Sequence, residues 1–142
     1  MTPFEDAEFR VKLAREHIED GFFEYDYSRW SKSALSAQLS VENSAKGVIG
    51  LFGPVAKTHD LAGAIMELRS DALTDEQRKM MVRLAEIAEK LGVKEHILTS
   101  YGDEVALKTP REIYDQAKAK RALDMAQEAL NIASKMVEML KK

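Results

Sequence analysis

The chain has 142 residues, 45% hydrophobic and 32% charged, with a formal net charge of −3 and no cysteine. That size and balance fit one globular domain able to bury a core unaided. They exclude disulfides, thiol nucleophiles and Cys-ligated zinc, and they lack the domain-wide basic excess of a nucleic-acid binder.

Helix signals begin at once. In "TPFE" (2–5) Thr stands at an N-cap, Pro at the first helical position and Glu three residues on, a capping box with Pro where a missing N–H costs nothing. The first helix is expected from about Phe4 to Glu24, burying the stripe Ala7, Val11, Ala14, Ile18, Phe22. "YDYS" (25–28) reads as a turn, with Asp26 or Ser28 capping the next helix. A second stripe then runs Trp30, Ala34, Ala37, Val41, Ala45, Val48, Phe52, predicting a long central helix stopped by Gly53-Pro54. A short helix follows, with Thr58 as its cap, Asp60 in its first turn and Leu61 reaching the core.

After the loop "RSDAL", the box "TDEQ" (74–77) opens a helix near 75–91 that ends at Gly92, and "VKEHILTSY" is a shorter helical piece. "TPRE" (109–112) starts a last helix expected to run unbroken from Pro110 to about Leu140. It carries Leu123, Ala126, Leu130, Ala133, Val137, Leu140, and beside them a second stripe, Met125, Ala129, Ile132, Met136, Met139. Two stripes make a face wider than one neighbouring helix covers. A second copy is the expected cover, giving a homodimer with Met125, Ala129, Ile132 and Met136 at its interface, to which the long second helix could also contribute. The alternative is that the short middle helices, which have stripes of their own to bury, fold over the strip. No alternating strand pattern, repeat or linker interrupts the chain. Residues 1–142 read as a single all-α domain, an up-and-down bundle of four to five helices.

No segment approaches the roughly 18 uninterrupted apolar residues of a membrane span. The polar, acidic start "MTPFEDAEFR" is unlike a signal peptide, so a cytoplasmic protein without membrane contact is expected.

The chemistry is sparse. Of the three histidines, His17, His59 and His96, none sits in the Glu-x-x-His pattern of a di-iron bundle. Phosphate-binding glycine loops and nucleophile elbows are missing too, so no metal or cofactor is expected. "GVIGLFG" (47–53) is glycine-rich but falls on a helix and its end, where close packing explains it. Glu42 and Lys46 form an i,i+4 pair flanking the apolar stripe, either a surface pair or the mouth of a groove. Capping accounts for Thr58 and Asp60. It does not account for His59, whose place at a helix start suits an anion; His59 and Lys46 are expected to approach one another there.

"SALSAQLSVENSAKGVIGLFG…KTHDL" resembles the HEPN domain, a helical bundle named for higher eukaryotes and prokaryotes. The likeness rests on Gln38, Glu42 and Lys46 along one helix, then Thr58, His59, Asp60 and Leu61, then Tyr101 in "TSYGDE" and Tyr114 early in the last helix. The resemblance implies a four- or five-helix bundle, usually homodimeric and often paired with a minimal nucleotidyltransferase. Glu42, Lys46, Thr58, His59, Asp60 and Tyr101 would then contact a nucleotide or that partner, as in a toxin–antitoxin or stress-related system. Some relatives are metal-independent RNases using Arg-x4–6-His near the last long helix. Here no histidine follows Arg111 or Arg121, and Ser100 stands where an Arg often precedes the family's Tyr. Arg10 and His17 have that spacing on the first helix, a match common by chance. The residues therefore favour a binding module over an enzyme. The alternatives are an RNase toxin with a dispersed set such as Arg111, Arg121 and His59, and a plain helical scaffold. RNA contact is left open.

Overall fold

The computed structural model describes residues 2–53, 60–68 and 73–141. They form α1 (Pro3–Asp26), α2 (Trp30–Gly50), α3 (Leu61–Met66), α4 (Asp75–Lys90), α5 (Val93–Tyr101), α6 (Pro110–Ile113) and α7 (Gln116–Leu140). All three capping boxes are in place, Thr2 with Glu5, Thr74 with Gln77 and Thr109 with Glu112. Among the described residues the nearest approach to a sheet is one antiparallel bridge between Asp103 and Lys108. None of the helices is long and apolar enough to cross a membrane.

α2 is the axle of the bundle. Most of its residues are buried, and it packs chiefly on α1 and α7 while α3 to α6 border it elsewhere. The α1–α2 seam is built from small residues at seven-residue steps. Gly21 faces Ser33, whose hydroxyl donates to the Gly21 carbonyl at 2.8 Å; Ser40 donates to the Ala14 carbonyl at 2.7 Å. One further step along, Gly47 lies against the Ala7 carbonyl. Residues without bulk let the two backbones approach, and serine hydroxyls satisfied across the seam carry no desolvation debt. Ser44, fully buried on the same helix, differs: its Oγ has no hydrogen-bond partner among the described residues.

Four expectations need correction. Most of the second stripe of α7 is not open to a partner: Ala129, Ile132 and Met136 are buried within the single chain, Ile132 at 8% exposure, Met125 is half-buried against the same core, and only Met139 near the helix end stands exposed. α4 packs onto α7 beside α1 and α2, and Arg83 straps it there through a bidentate pair with Glu128 at 2.6 and 2.9 Å. The chain's own bundle, with α4 as part of it, therefore takes up most of the face that a second copy was expected to cover.

The last helix is also broken. Tyr114 is extended (φ −95°, ψ 135°), and Asp115 then caps α7 by accepting from the Lys118 amide at 2.9 Å. Neither Asp26 nor Ser28 caps α2. Asp26 still belongs to α1, and Ser28 adopts φ 59° to close it, with Ser28 N–H donating to Tyr25 O and Arg29 N–H to Glu24 O, each at 2.9 Å. That pair of bonds is a Schellman closure with serine in the usual glycine place. Finally, Asp60 is the N-cap of α3 and not a first-turn residue, its side chain accepting from the Gly63 amide at 2.8 Å. Thr58, the expected cap, lies outside the described residues.

Candidate functional site

The expected site is only partly assembled. Glu42 and Lys46 pair at 3.5 Å along α2, each about one-third exposed, a geometry worth a few tenths of a kcal/mol. Asp60 is occupied in capping α3. His59, like Thr58, lies outside the described residues, so its expected approach to Lys46 does too. Tyr101 ends α5 with its ring in solvent, 69% exposed.

What the structure adds is His96. Gln38, 3% exposed on α2, meets His96 Nδ1 on α5 at 3.0 Å. The contact ties α5 to α2 through two polar side chains at the edge of the core. Nothing local in the sequence joins residues so far apart. On α1, Arg10 is engaged with Asp6 at 3.4 Å, which leaves the Arg10/His17 spacing without a pairing. Among the described residues no group of three or more His, Asp or Glu could hold a metal.

Tyr114 is the second feature that spacing could not reveal. Its ring is buried, and its hydroxyl donates to Glu95 Oε1 at 2.7 Å, so burial and the neighbouring carboxylate both push its pKa well above the usual phenol value. The ring is a common wall of two clefts. One, of about 240 Å³, lies among α4, α5, α6 and α7, with Lys90, Lys118 and Arg121 around an apolar floor that includes Leu91, Ile113 and Met125. The other, of about 270 Å³, is lined by Ser28, Arg29, Trp30, Ser31, Lys32 and Arg111. Among the described residues no carboxylate lines this second cleft, a local excess of cation in a chain whose net charge is −3.

α5 presents a different surface. Val93, Ile97 and Tyr101, at four-residue steps, stand exposed along its outer side. The chain then turns through 103–108, where Val105 and Leu107 are 97% and 85% exposed. This turn is rigidly built. Asp103 and Lys108 exchange backbone hydrogen bonds at 2.8 and 3.0 Å, and Asp103 Oδ1 accepts from the amides of Val105 and Ala106. Gly102 (φ 77°) leads in where a Cβ would collide with the Lys108 carbonyl, and Leu107 itself takes φ 58°. A leucine held left-handed costs about 1–2 kcal/mol.

Comparison with known proteins agrees with this architecture. A crystal structure of a Thermus thermophilus protein superposes with a TM-score of 0.69 at 21% identity, covering 92% of this chain and 97% of that one. A crystal structure of an archaeal HEPN homologue gives 0.61 at 16% identity over the same shares. At those identities the likeness is one of fold. No curated protein matches. The model of the HEPN domain matches residues 4–142, nearly the whole chain, and the protein therefore belongs to the HEPN domain family.

Proposed function

We propose that this chain is a non-catalytic HEPN module that works by assembly and binding: a homodimer that engages a nucleotide or a minimal nucleotidyltransferase, in a toxin–antitoxin-like or stress-related pair. The observation that carries the assembly part is the apolar surface of α5 and the 103–108 turn. Five apolar side chains stand exposed there in succession, two of them on a turn fixed by four hydrogen bonds and two left-handed residues. Ordering exposed apolar groups in advance lowers the entropy lost on docking, and contiguous exposed apolar surface marks an interface. The face is also self-complementary in charge, with Lys94 near the start of α5 and Glu104 just beyond its end. A two-fold axis near Ile97 would set each Lys94 toward the partner's acidic turn, the isologous arrangement commonest in dimers.

The absence of a histidine after Arg111 or Arg121 supports the non-catalytic reading, since a general acid–base needs a group poised on its substrate. Sedimentation across micromolar concentrations tests the assembly. A species near twice 16.0 kDa is expected, and Ile97→Glu should return it to monomer with helicity unchanged. A wild-type protein that stays monomeric throughout refutes the dimer.

A further inference from the structure

We propose that the first turn of α2 is a phosphate site and that its ligand is a nucleoside 5′-phosphate. This deepens the nucleotide part of the reading above and is independent of the assembly part.

The site follows from how α1 ends. Closing α1 uses Ser28 and Arg29, so Arg29 is both the third residue beyond one helix and the N-cap of the next. A guanidinium cannot accept a hydrogen bond, and α2 begins without a side-chain cap. The amides of Trp30, Ser31 and Lys32 point out of the start of a 21-residue helix, and none has an acceptor among the described residues. A helix of that length carries roughly half a positive charge at this end.

A bare helix start alone would mean little, but Ser31 adds a second and independent sign. It is 7% exposed and lines the cleft, and its hydroxyl has no hydrogen-bond partner among the described residues. It is not sealed in the core either, because the fully enclosed unpartnered hydroxyl is that of Ser44. A nearly buried hydroxyl normally finds a partner, and for Ser31, on the wall of the cleft, the cleft is where one can reach it. Around it stand Arg29, Lys32 and Arg111, none in an ion pair among the described residues, although Arg83 and Lys120 elsewhere in the chain have theirs.

Three cations, three amides and a hydroxyl are more donors than one carboxylate uses. They suit a phosphate, with about −1.5 to −2 charges and three strong acceptor oxygens. The remaining walls are rings. Trp30 is held by an edge contact with Tyr25 at 5.1 Å between centroids, and Tyr114 is fixed through Glu95. Rings and guanidinium planes offer a base stacking surface. The cleft of about 270 Å³ takes a phosphate and part of a nucleoside, leaving the rest in solvent.

Titration calorimetry with ADP, pyrophosphate and adenosine tests the assignment on the full chain. ADP should bind, pyrophosphate more weakly and adenosine hardly at all. Arg111→Ala should weaken ADP tenfold or more, and Ser31→Ala several-fold, with the fold intact because that hydroxyl supports nothing. The decisive variant is Arg29→Asp. It supplies the missing cap, so its melting temperature should hold or rise, yet ADP binding should vanish. Lys46→Ala should leave binding unchanged. ADP binding that survives Arg29→Asp, or that Lys46→Ala alone abolishes, overturns the site. Pyrophosphate binding as tightly as ADP overturns the nucleoside, and no binding by any probe overturns both. Repeating the titration on Ile97→Glu separates this result from the fate of the dimer.

Discussion

Two glycines in the α1–α2 seam should respond oppositely to the same substitution. Each becomes alanine within the C-terminal part of a helix, which gains up to about 1 kcal/mol of helix propensity at either place. At Gly47 the added Cβ meets the Ala7 carbonyl and Arg10 Cβ at 3.5 Å, ordinary contact, so Gly47→Ala should stabilise by about 0.5–1 kcal/mol. At Gly21 it would stand 2.8 Å from Leu123 Cδ2 and 3.4 Å from Ser36 Cβ. Leu123 is fully buried on α7, so its methyl has no free space to retreat into. Overpacking of that kind costs about 1–3 kcal/mol. The propensity gain cancels between the two variants, and their difference isolates the steric cost. For a chain of this size it corresponds to about 3–12 °C in melting temperature, Gly21→Ala lying lower. Thermal unfolding followed by circular dichroism measures it directly. Equal melting temperatures, or Gly21→Ala the higher, would refute the claim that the seam is close-packed against α7 at that point.

Three other changes test separate parts of the structure. Ser44→Ala removes a buried hydroxyl that lacks a partner and should stabilise by about 1 kcal/mol in urea unfolding, where an ordinary buried serine would lose stability. Ser28→Gly relieves a left-handed serine and should raise stability by up to about 1 kcal/mol, since glycine takes φ 59° without a Cβ penalty. Tyr114→Phe deletes the hydrogen bond to Glu95 and should cost about 1.5–3 kcal/mol at neutral pH. The Tyr114 pKa is raised by folding, so its contribution is complete below the unfolded phenol value near 10 and is lost as pH rises above it, at up to about 1.4 kcal/mol per pH unit. Alkaline unfolding curves of wild type and Tyr114→Phe should therefore converge above pH ~10; parallel curves would show that Tyr114 ionises as freely folded as unfolded.

The parts of this fold that were legible in the sequence are those whose signals are local. Thr2, Thr74 and Thr109 each find their return partner three residues on, so one turn of chain contains the whole device. The stripes of α1, α2 and α7 state which face is buried, and that held except toward their C-terminal ends, where Phe22, Phe52 and Met139 stand exposed and Gly21 takes the buried place expected of Phe22. They do not state what buries it. Whether Ile132 and Met136 meet a second copy or α4 depends on how the chain folds back, and Arg83 to Glu128 spans a distance no periodicity encodes. The break at Tyr114 has the same cause. "TPRE" and the stripe beyond it are both helical, but a buried hydroxyl reaching Glu95 on α5 pulls the residue between them out of register.

The "YDYS" junction departs furthest from local propensity. Asp26 and Ser28 are good capping residues, and local propensity alone would have used one of them at the start of α2. The junction uses Ser28 to finish α1 and leaves an arginine where a cap is expected. Capping groups such as serine and aspartate are worth about 0.5–2 kcal/mol there, so the sequence forgoes that stability at α2, as it does behind Gly92 at the short α5, while α1, α3, α4, α6 and α7 begin with side-chain caps. Places where a chain breaks its own local rules tend to be those it uses. The cations that gather at this bare end come from Arg29, Lys32 and the distant Arg111, which only the folded chain brings together. A reading by motif directs attention to the Thr-His-Asp-Leu turn; the physical anomaly directs it to the other end of α2.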